Sequence, residues 1–197
     1  MTFRILAVCT GNICRSPLAE QLLRARLAQL DVTVESAGVG ALVGEGMPEP
    51  ALDLAIRLGM TDAASHVSRQ LTVDLIPGAD LVLAMSREHR RALVELTPAA
   101  TRRTFTIREL ANIAAGISDD ELHAEVVGST DASEALRAAV DLASALRGVV
   151  KPLPSPDDLD VVDPYRQSVA VYELSASQLA PAVDAVATFL TRAAAAI

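Results

Sequence analysis

The run Val8-Cys9-Thr10-Gly11-Asn12-Ile13-Cys14-Arg15-Ser16-Pro17 places a nucleophile, a fixed cation and two conformationally permissive residues within one short stretch. A loop of this length can wrap a tetrahedral oxyanion with successive backbone N–H groups. Gly11 allows close approach, Asn12 tolerates a left-handed backbone, and a following helix adds its positive end. The expected phosphate-binding set is therefore Thr10, Gly11, Asn12, Ile13, Cys14, Arg15 and Ser16. Arg15 offers a planar fork for two phosphoryl oxygens, and the same positive surroundings favour the thiolate of Cys9. Ser16 can donate its hydroxyl to that thiolate and ease its departure in a second step. A lone cysteine at a strand end is commonly a small packing residue, but Gly, Asn, Arg, Ser and Pro all fall in register here.

Such a loop needs a strand before it and a helix after it. Phe3 to Val8 reads as a short buried strand, and Ser16 to Gln29 as a helix with Leu18, Leu22, Leu23 and Leu27 at helical spacing. Val32 to Ser36 predicts a second strand, ended by Ala37-Gly38, and Pro48 to Leu58 a helix that opens on proline and is followed by Gly59. Asp80 to Met85 predicts a third strand, Ser86 to Leu96 a helix, and Thr104 to Ile107 a fourth strand. This β-α alternation implies a parallel sheet with helices on both faces and a ligand site beyond the carboxyl ends of the strands, where the Cys9 loop falls. Residues 112–158 interrupt the rhythm. Within them Asp119 to Val127 and Ser133 to Arg147 read as exposed amphipathic helices, and Lys151 to Pro156 as a stiff extended connector. A turn at Asp163-Pro164-Tyr165 and a helix from about Ala170 to Ala194 follow, with Pro181 marking a kink or a new start.

The chain has 197 residues, 51% of them hydrophobic, enough for one domain spanning 1–197 with an acidic helical insertion at about 112–158. Mean hydropathy is +0.32 with 3% aromatics and no tryptophan, which argues against disorder and against stacking platforms for nucleic acid. The formal net charge is -8, and the excess is local: residues 116–163 hold 11 acids against 3 bases. Such a balance opposes nonspecific binding to nucleic acid or insertion into an anionic membrane. The apolar start is too short for a signal peptide, no stretch is long enough to span a bilayer, and a cytoplasmic protein is expected. His66, His89 and His123 lack metal-ligand spacing, so neither metal nor cofactor is expected. His66 reads as a packing or hydrogen-bonding residue.

On these residues the chain resembles the low-molecular-weight protein tyrosine phosphatase family, whose signature loop reads Val-Cys-x-Gly-Asn-x-Cys-Arg-Ser-Pro. The resemblance continues through Ser36-Ala37-Gly38, His66 to Leu71, Asp80 to Met85 and Asp163-Pro164-Tyr165. It implies a flavodoxin-like three-layer α/β fold with a four-stranded parallel sheet, Cys9 as nucleophile, Arg15 as transition-state binder and Asp163 as general acid. It further implies that Asn12 and Ser36 hydrogen-bond to hold the loop. The implied activity is hydrolysis of phosphotyrosine on proteins through a phosphocysteine intermediate, with a bacterial tyrosine kinase among the candidate partners. An arsenate reductase coupled to a low-molecular-weight thiol uses the same loop and stands as the alternative. Against it, no cysteine follows Cys14 and the Asp-Pro-aromatic element is present. A noncatalytic phosphate-binding or redox-responsive module has no need for both a thiolate and a distant acid. A phosphoarginine branch of the family carries Thr before the second Cys, where this chain has Ile13.

The acid can also be reasoned directly, because a phenolate leaving group needs a proton from a carboxylic acid on a loop facing the nucleophile. Asp163-Pro164-Tyr165 supplies the acid, a rigid turn and an aromatic wall, while Asp157, Asp158 and Asp160 read as solvated loop acids. Leu42 stands where the family often has an aromatic, so Leu42 and Tyr165 are the expected substrate-binding walls. Arg166 either favours acidic residues beside a phosphotyrosine or is solvated. Ser86 replaces the usual Asp. The basic run Arg87, Arg90, Arg91, Arg102, Arg103 and Arg108 reads as a solvated face. The 112–158 segment is either a lid or partner surface or an inert excursion, and its deletion is expected to spare hydrolysis of a small aryl phosphate. Cys14 either packs beneath the loop or resolves oxidised Cys9 as a disulfide.

Overall fold

A computed structural model describes residues 2–197. Strand β1 (Phe3–Cys9) lies inside a four-stranded sheet and is buried on both faces, as its near-continuous apolar run requires. It pairs in parallel with β2 (Val32–Gly38) and with β3 (Leu81–Ala84), and β3 pairs in parallel with β4 (Thr104–Thr106), so the order is β2-β1-β3-β4. The register sets Cys9 opposite Gly38 and Val8 opposite Ala84, so the strands end at one level.

Alternation along β1 divides the core. Phe3, Ile5, Ala7 and Cys9 face a large cluster, whereas Leu6 and Val8 join Leu71, Ile76, Leu93 and Ala100 on the other side. Helix α1 (Arg15–Arg26), α2 (Glu49–Arg57) and α7 (Val169–Ala195) supply the larger side, and α3 (Arg87–Leu96) supplies Leu93 to the other. The expected three-layer arrangement holds. Helix α7 runs unbroken through Pro181, with no new start there.

Two expectations are corrected. A helix unforeseen in the sequence, α4 (Ile107–Ala115), begins directly after β4, started by a capping box in which Thr106 accepts from the Glu109 backbone and Glu109 reaches back to the Thr106 N–H. The supposed insertion therefore begins inside a helix. Nor do its own helices stand exposed: α5 (Asp119–Val126) and α6 (Ala132–Ala145) bury Leu122, Val126, Leu136, Ala139 and Val140 in the same cluster as Phe3 and Ile5. The acid-rich face pointed to solvent, and the apolar face of the same helices went to the core. Arg147, just past α6, fastens this segment: it stacks 4.1 Å from the Phe105 ring centroid, bonds Glu109 at 2.9 Å and donates to the Thr104 carbonyl at 2.8 Å.

Candidate active site

Between the end of β1 and the start of α1 the chain makes one tight loop, and four successive carbonyls along it are used outward. The Cys9 carbonyl accepts from the Val39 N–H, that of Thr10 from Gly40, that of Gly11 from Leu42 and from the Ser68 hydroxyl, and that of Asn12 from His66 Nε2 at 2.7 Å. Because the N–H and C=O of one planar peptide point opposite ways, the N–H groups of Thr10, Gly11, Asn12 and Ile13 are turned inward. This is the concave array of donors that an anion needs. The last of these bonds also fixes the His66 tautomer, since a carbonyl can only accept and Nε2 must carry the proton.

Asn12 holds the loop. Its backbone is left-handed (φ 54) and its side chain is fully buried, with Nδ2 donating to Ser16 at 2.9 Å and to Ser36 at 2.8 Å, and Oδ1 accepting from the Arg69 N–H. Ser36 in turn donates to Glu20 at 2.6 Å. Gly38 is required here, because a Cβ would lie 2.3 Å from the Thr10 carbonyl oxygen. At the centre, Cys9 Sγ receives the Asn12 N–H at 3.3 Å and lies 3.0 Å from the Ser16 hydroxyl. Ser16 already accepts from Asn12, so its proton is free for the sulfur.

Arg15 is buried beneath the same site. One terminal nitrogen donates to the Val161 carbonyl at 3.2 Å, the other meets the half-exposed Asp163 carboxylate at 2.7 Å, and Nε has no partner among the described residues. The acid loop is anchored from several sides: Val161 donates to the Met85 carbonyl beyond β3, Val162 to Gln178, and Asp163 itself accepts from the Tyr165 N–H. Asp160, expected to be a solvated acid, instead caps α3 by accepting the Arg87 N–H at 2.7 Å and pairs with the Arg87 guanidinium at 2.8 Å. Asp157 also pairs with Arg87, and Asp158 closes a capping box with Ser155. Sequence separation hid Arg87 from Asp157 and Asp160, whereas Ser155-x-x-Asp158 was a local capping signal.

Cys9, Gly11, Ile13, Leu42, Asp163 and Tyr165 line one cavity of about 110 Å³, to which Thr10, Cys14, Arg15 and Gly40 also contribute. Both expected walls, Leu42 and Tyr165, are there. Arg166 is exposed, takes a left-handed backbone (φ 61) and lays its guanidinium 5.0 Å from the Tyr165 ring centroid. Cys14 occupies the position before α1 without a side-chain capping bond; burial first, and then the neighbouring Cys9, push its thiol up to about 12. Both cysteines are free. Two residues of the site escaped the sequence reading: His89 Nε2 lies 2.8 Å from the Thr10 hydroxyl, and its Nδ1 lies 2.8 Å from that of Ser86. The spacing Ser86-x-x-His89 is a helix-start pattern and carries no hint of the loop on its far side.

The described residues contain no group of three or more metal-ligating side chains and no helix long and apolar enough to cross a membrane. A parallel sheet whose first loop turns a concave row of N–H groups over a cysteine defines a cysteine-based phosphatase fold. Residues 4–123 match the profile of the low molecular weight phosphotyrosine protein phosphatases. A relative from Ralstonia solanacearum, a probable low molecular weight protein-tyrosine-phosphatase EpsP, is 36% identical over 137 residues, covering 70% of this chain and 90% of that protein. Among solved structures, Vibrio vulnificus Wzb in complex with benzylphosphonate aligns with a TM-score of 0.64 at 27% identity, covering 95% of this chain and 99% of that one. The YwlE arginine phosphatase from Geobacillus stearothermophilus aligns with a TM-score of 0.66 at 30% identity, covering 96% and 93%. The chain belongs to the low molecular weight phosphotyrosine protein phosphatase family and is a phosphatase. These relatives weigh against the arsenate reductase alternative.

Proposed function

We propose that the protein hydrolyses phosphotyrosine on proteins in two steps at the Cys9 cavity. Cys9 Sγ attacks phosphorus in line, the P–O bond to the tyrosine ring breaks, and protonated Asp163 delivers its proton to the departing phenolate. The Asp163 carboxylate then takes a proton from water as that water attacks the phosphocysteine, the P–S bond breaks, and phosphate leaves. The thiolate is received by the Asn12 N–H and the Ser16 hydroxyl. Arg15, whose Nε has no partner among the described residues, turns its fork from Asp163 to two phosphoryl oxygens, which frees the acid for the leaving group. The observation that carries this reading is that Cys9, Arg15 and Asp163 converge on one cavity under inward-turned N–H groups.

The walls favour an aromatic ester. Ile13, Leu42 and Tyr165 present apolar surface on which a phenyl ring packs, and Ile13 brings no hydroxyl toward a guanidinium such as that of phosphoarginine. The physiological partner is proposed to be a phosphotyrosine-bearing protein, with a bacterial tyrosine kinase as the first candidate. The chemistry needs Cys9 as a free thiol, which the reducing cytoplasm maintains. Residues 112–158 are proposed to be an elaboration of a single 1–197 phosphatase domain rather than a separate unit.

The test compares wild type, Cys9→Ser and Asp163→Asn on a phosphotyrosine peptide, an activated aryl phosphate and a phosphoarginine peptide. Cys9→Ser is expected to abolish turnover, and Asp163→Asn to cost about 10²–10⁴ on phosphotyrosine but less on the activated ester. An Asp163→Asn enzyme as active as wild type on phosphotyrosine removes the acid assignment, and faster turnover of phosphoarginine than of phosphotyrosine removes the substrate assignment.

A further inference from the structure

Thr10 follows the nucleophile, lines the cavity, and makes two side-chain contacts: His89 Nε2 at 2.8 Å and Arg15 Nη2 at 3.5 Å. Behind it, His89 is buried and closes the chain through Nδ1 to Ser86 Oγ. The protons in this chain can be counted. Ser86 Oγ accepts the backbone N–H of His89 at 3.3 Å as the cap of α3. If Nδ1 carried the imidazole proton, Ser86 would accept twice and Thr10 would spend its own proton on Nε2, leaving an anion in the cavity no hydroxyl proton. If Nε2 carries it, Ser86 donates to Nδ1, Nε2 donates to Thr10 Oγ1, and with an anion in the cavity both hydroxyl protons have acceptors. The other neighbour of Thr10 Oγ1 is Arg15, which only donates. The Thr10 hydroxyl proton is thus left for whatever enters the cavity.

We infer that the Thr10 hydroxyl donates a hydrogen bond to the bound phosphoryl group, and that His89, held as the Nε2–H tautomer by Ser86, is the positioning residue that orients it. The inference rests on the reading of Cys9 as the phosphatase nucleophile, and adds a side-chain donor to the backbone donors of the loop. Neutral His89 is essential, because an imidazolium could not accept from Ser86. Burial, with the Arg15 charge second, lowers the His89 pKa to about 4, while Asp163 and Asp160 oppose this more weakly.

The experiment uses the full chain and inorganic phosphate as the probe. Thr10→Val, which keeps the shape and removes the hydroxyl, is expected to weaken competitive inhibition by phosphate and lower kcat/KM by about 10- to 100-fold, the range for one hydrogen bond to a charged acceptor. Thr10→Ser is expected to recover most of that loss. His89→Phe is expected to reproduce part of the Thr10→Val defect in the wild-type background and to add little in the Thr10→Val background. Unchanged phosphate affinity in Thr10→Val, or a His89→Phe cost that is the same in both backgrounds, overturns the inference. Nitrogen NMR of ¹⁵N-histidine-labelled wild type in saturating phosphate needs no substitution: Nε2 is expected as the protonated nitrogen and Nδ1 as the bare one, and the reverse overturns the tautomer. Full turnover in Cys9→Ser would instead remove the underlying reading.

Discussion

At the scale of single residues, the site is built by turning peptide groups. Four successive carbonyls of the loop are each satisfied from outside, by Val39, Gly40, Leu42 with Ser68, and His66, and that is why the N–H groups face in. Gly38 makes this possible by letting β2 approach the Thr10 carbonyl. Gly38→Ala is expected to destabilise the protein by about 1–3 kcal/mol through overpacking and to cost activity more than an equally destabilising change far from the loop. Thermal melts together with kcat/KM check this; a Gly38→Ala enzyme with native activity and melting would show that the contact is relieved cheaply. His89 gives a second expectation, in pH. Its pKa falls from 6.5 to about 4 on folding, so the neutral form is favoured in the folded state. The stability it contributes is complete above pH 6.5 and is lost as pH falls toward 4. Denaturation midpoints measured between pH 7 and pH 4 are expected to drop less steeply in His89→Gln than in wild type, and parallel curves would contradict this. The Cys9 loop was legible in the sequence because its residues are consecutive. His89 was not, because its partner Thr10 is distant in the chain and a helix-start serine and histidine look the same whatever they face.

At the scale of elements, the acid loop owes its place to a neighbouring helix. Asp160 accepts the first N–H of α3 and pairs with Arg87, Arg108 donates to the Asp160 carbonyl at 2.9 Å, and the Val161 N–H donates to the Met85 carbonyl just beyond β3. Asp163 follows within the same short extended stretch. Arg87→Ala is therefore expected to leave the fold intact but lower turnover of phosphotyrosine about tenfold, with a smaller loss on an activated aryl phosphate, whose leaving group needs the acid least. Equal losses on both esters would place the effect in binding rather than in acid positioning. Deletion of residues 114–150 now carries the opposite expectation from the one its acidity suggests, since it removes Leu122, Val126, Leu136 and Val140 from the main core and cuts Arg147 from Phe105. Loss of cooperative unfolding is expected, with Leu136→Ala alone costing about 2–5 kcal/mol; a folded, active deletion protein would return the segment to the status of an excursion. The strands and the earlier helices were readable from apolar spacing. Helix α4 was not, because it starts on the last strand residue with no turn between, although Thr106-x-x-Glu109 was a visible capping signal.

At the scale of the whole molecule, the uneven charge in the sequence is largely a complement within the fold. Acids of the 116–163 segment meet arginines from outside it: Asp119 with Arg192 at 2.7 Å, Asp160 with Arg87 at 2.8 Å and Asp163 with Arg15 at 2.7 Å. In the other direction Arg137 reaches Asp80 and Arg147 reaches Glu109. Of the basic run expected as a solvated face, Arg87 and Arg108 hold the acid loop and Arg90 donates to the Thr104 carbonyl, whereas Arg91, beside Glu95 on α3, and Arg102 are exposed as expected. Exposed pairs of this kind each contribute little, so the asymmetry says more about which elements touch than about stability. The charge left over, -8 in all, still acts at long range on an anionic substrate. Its field extends about 30 Å at 0.01 M salt and about 10 Å at 0.1 M, whereas the contacts inside the cavity are short and screened far less. For a small aryl phosphate dianion, kcat/KM is therefore expected to rise about twofold as ionic strength is raised from 0.01 to 0.1 M, because salt removes the repulsion before it weakens binding at Arg15. Converting the exposed Asp120 and Glu125 of α5 to their amides is expected to shrink that rise without changing kcat at high salt, and a fall in kcat/KM across the same range would mean that attraction by the cavity, not repulsion by the whole surface, governs substrate approach.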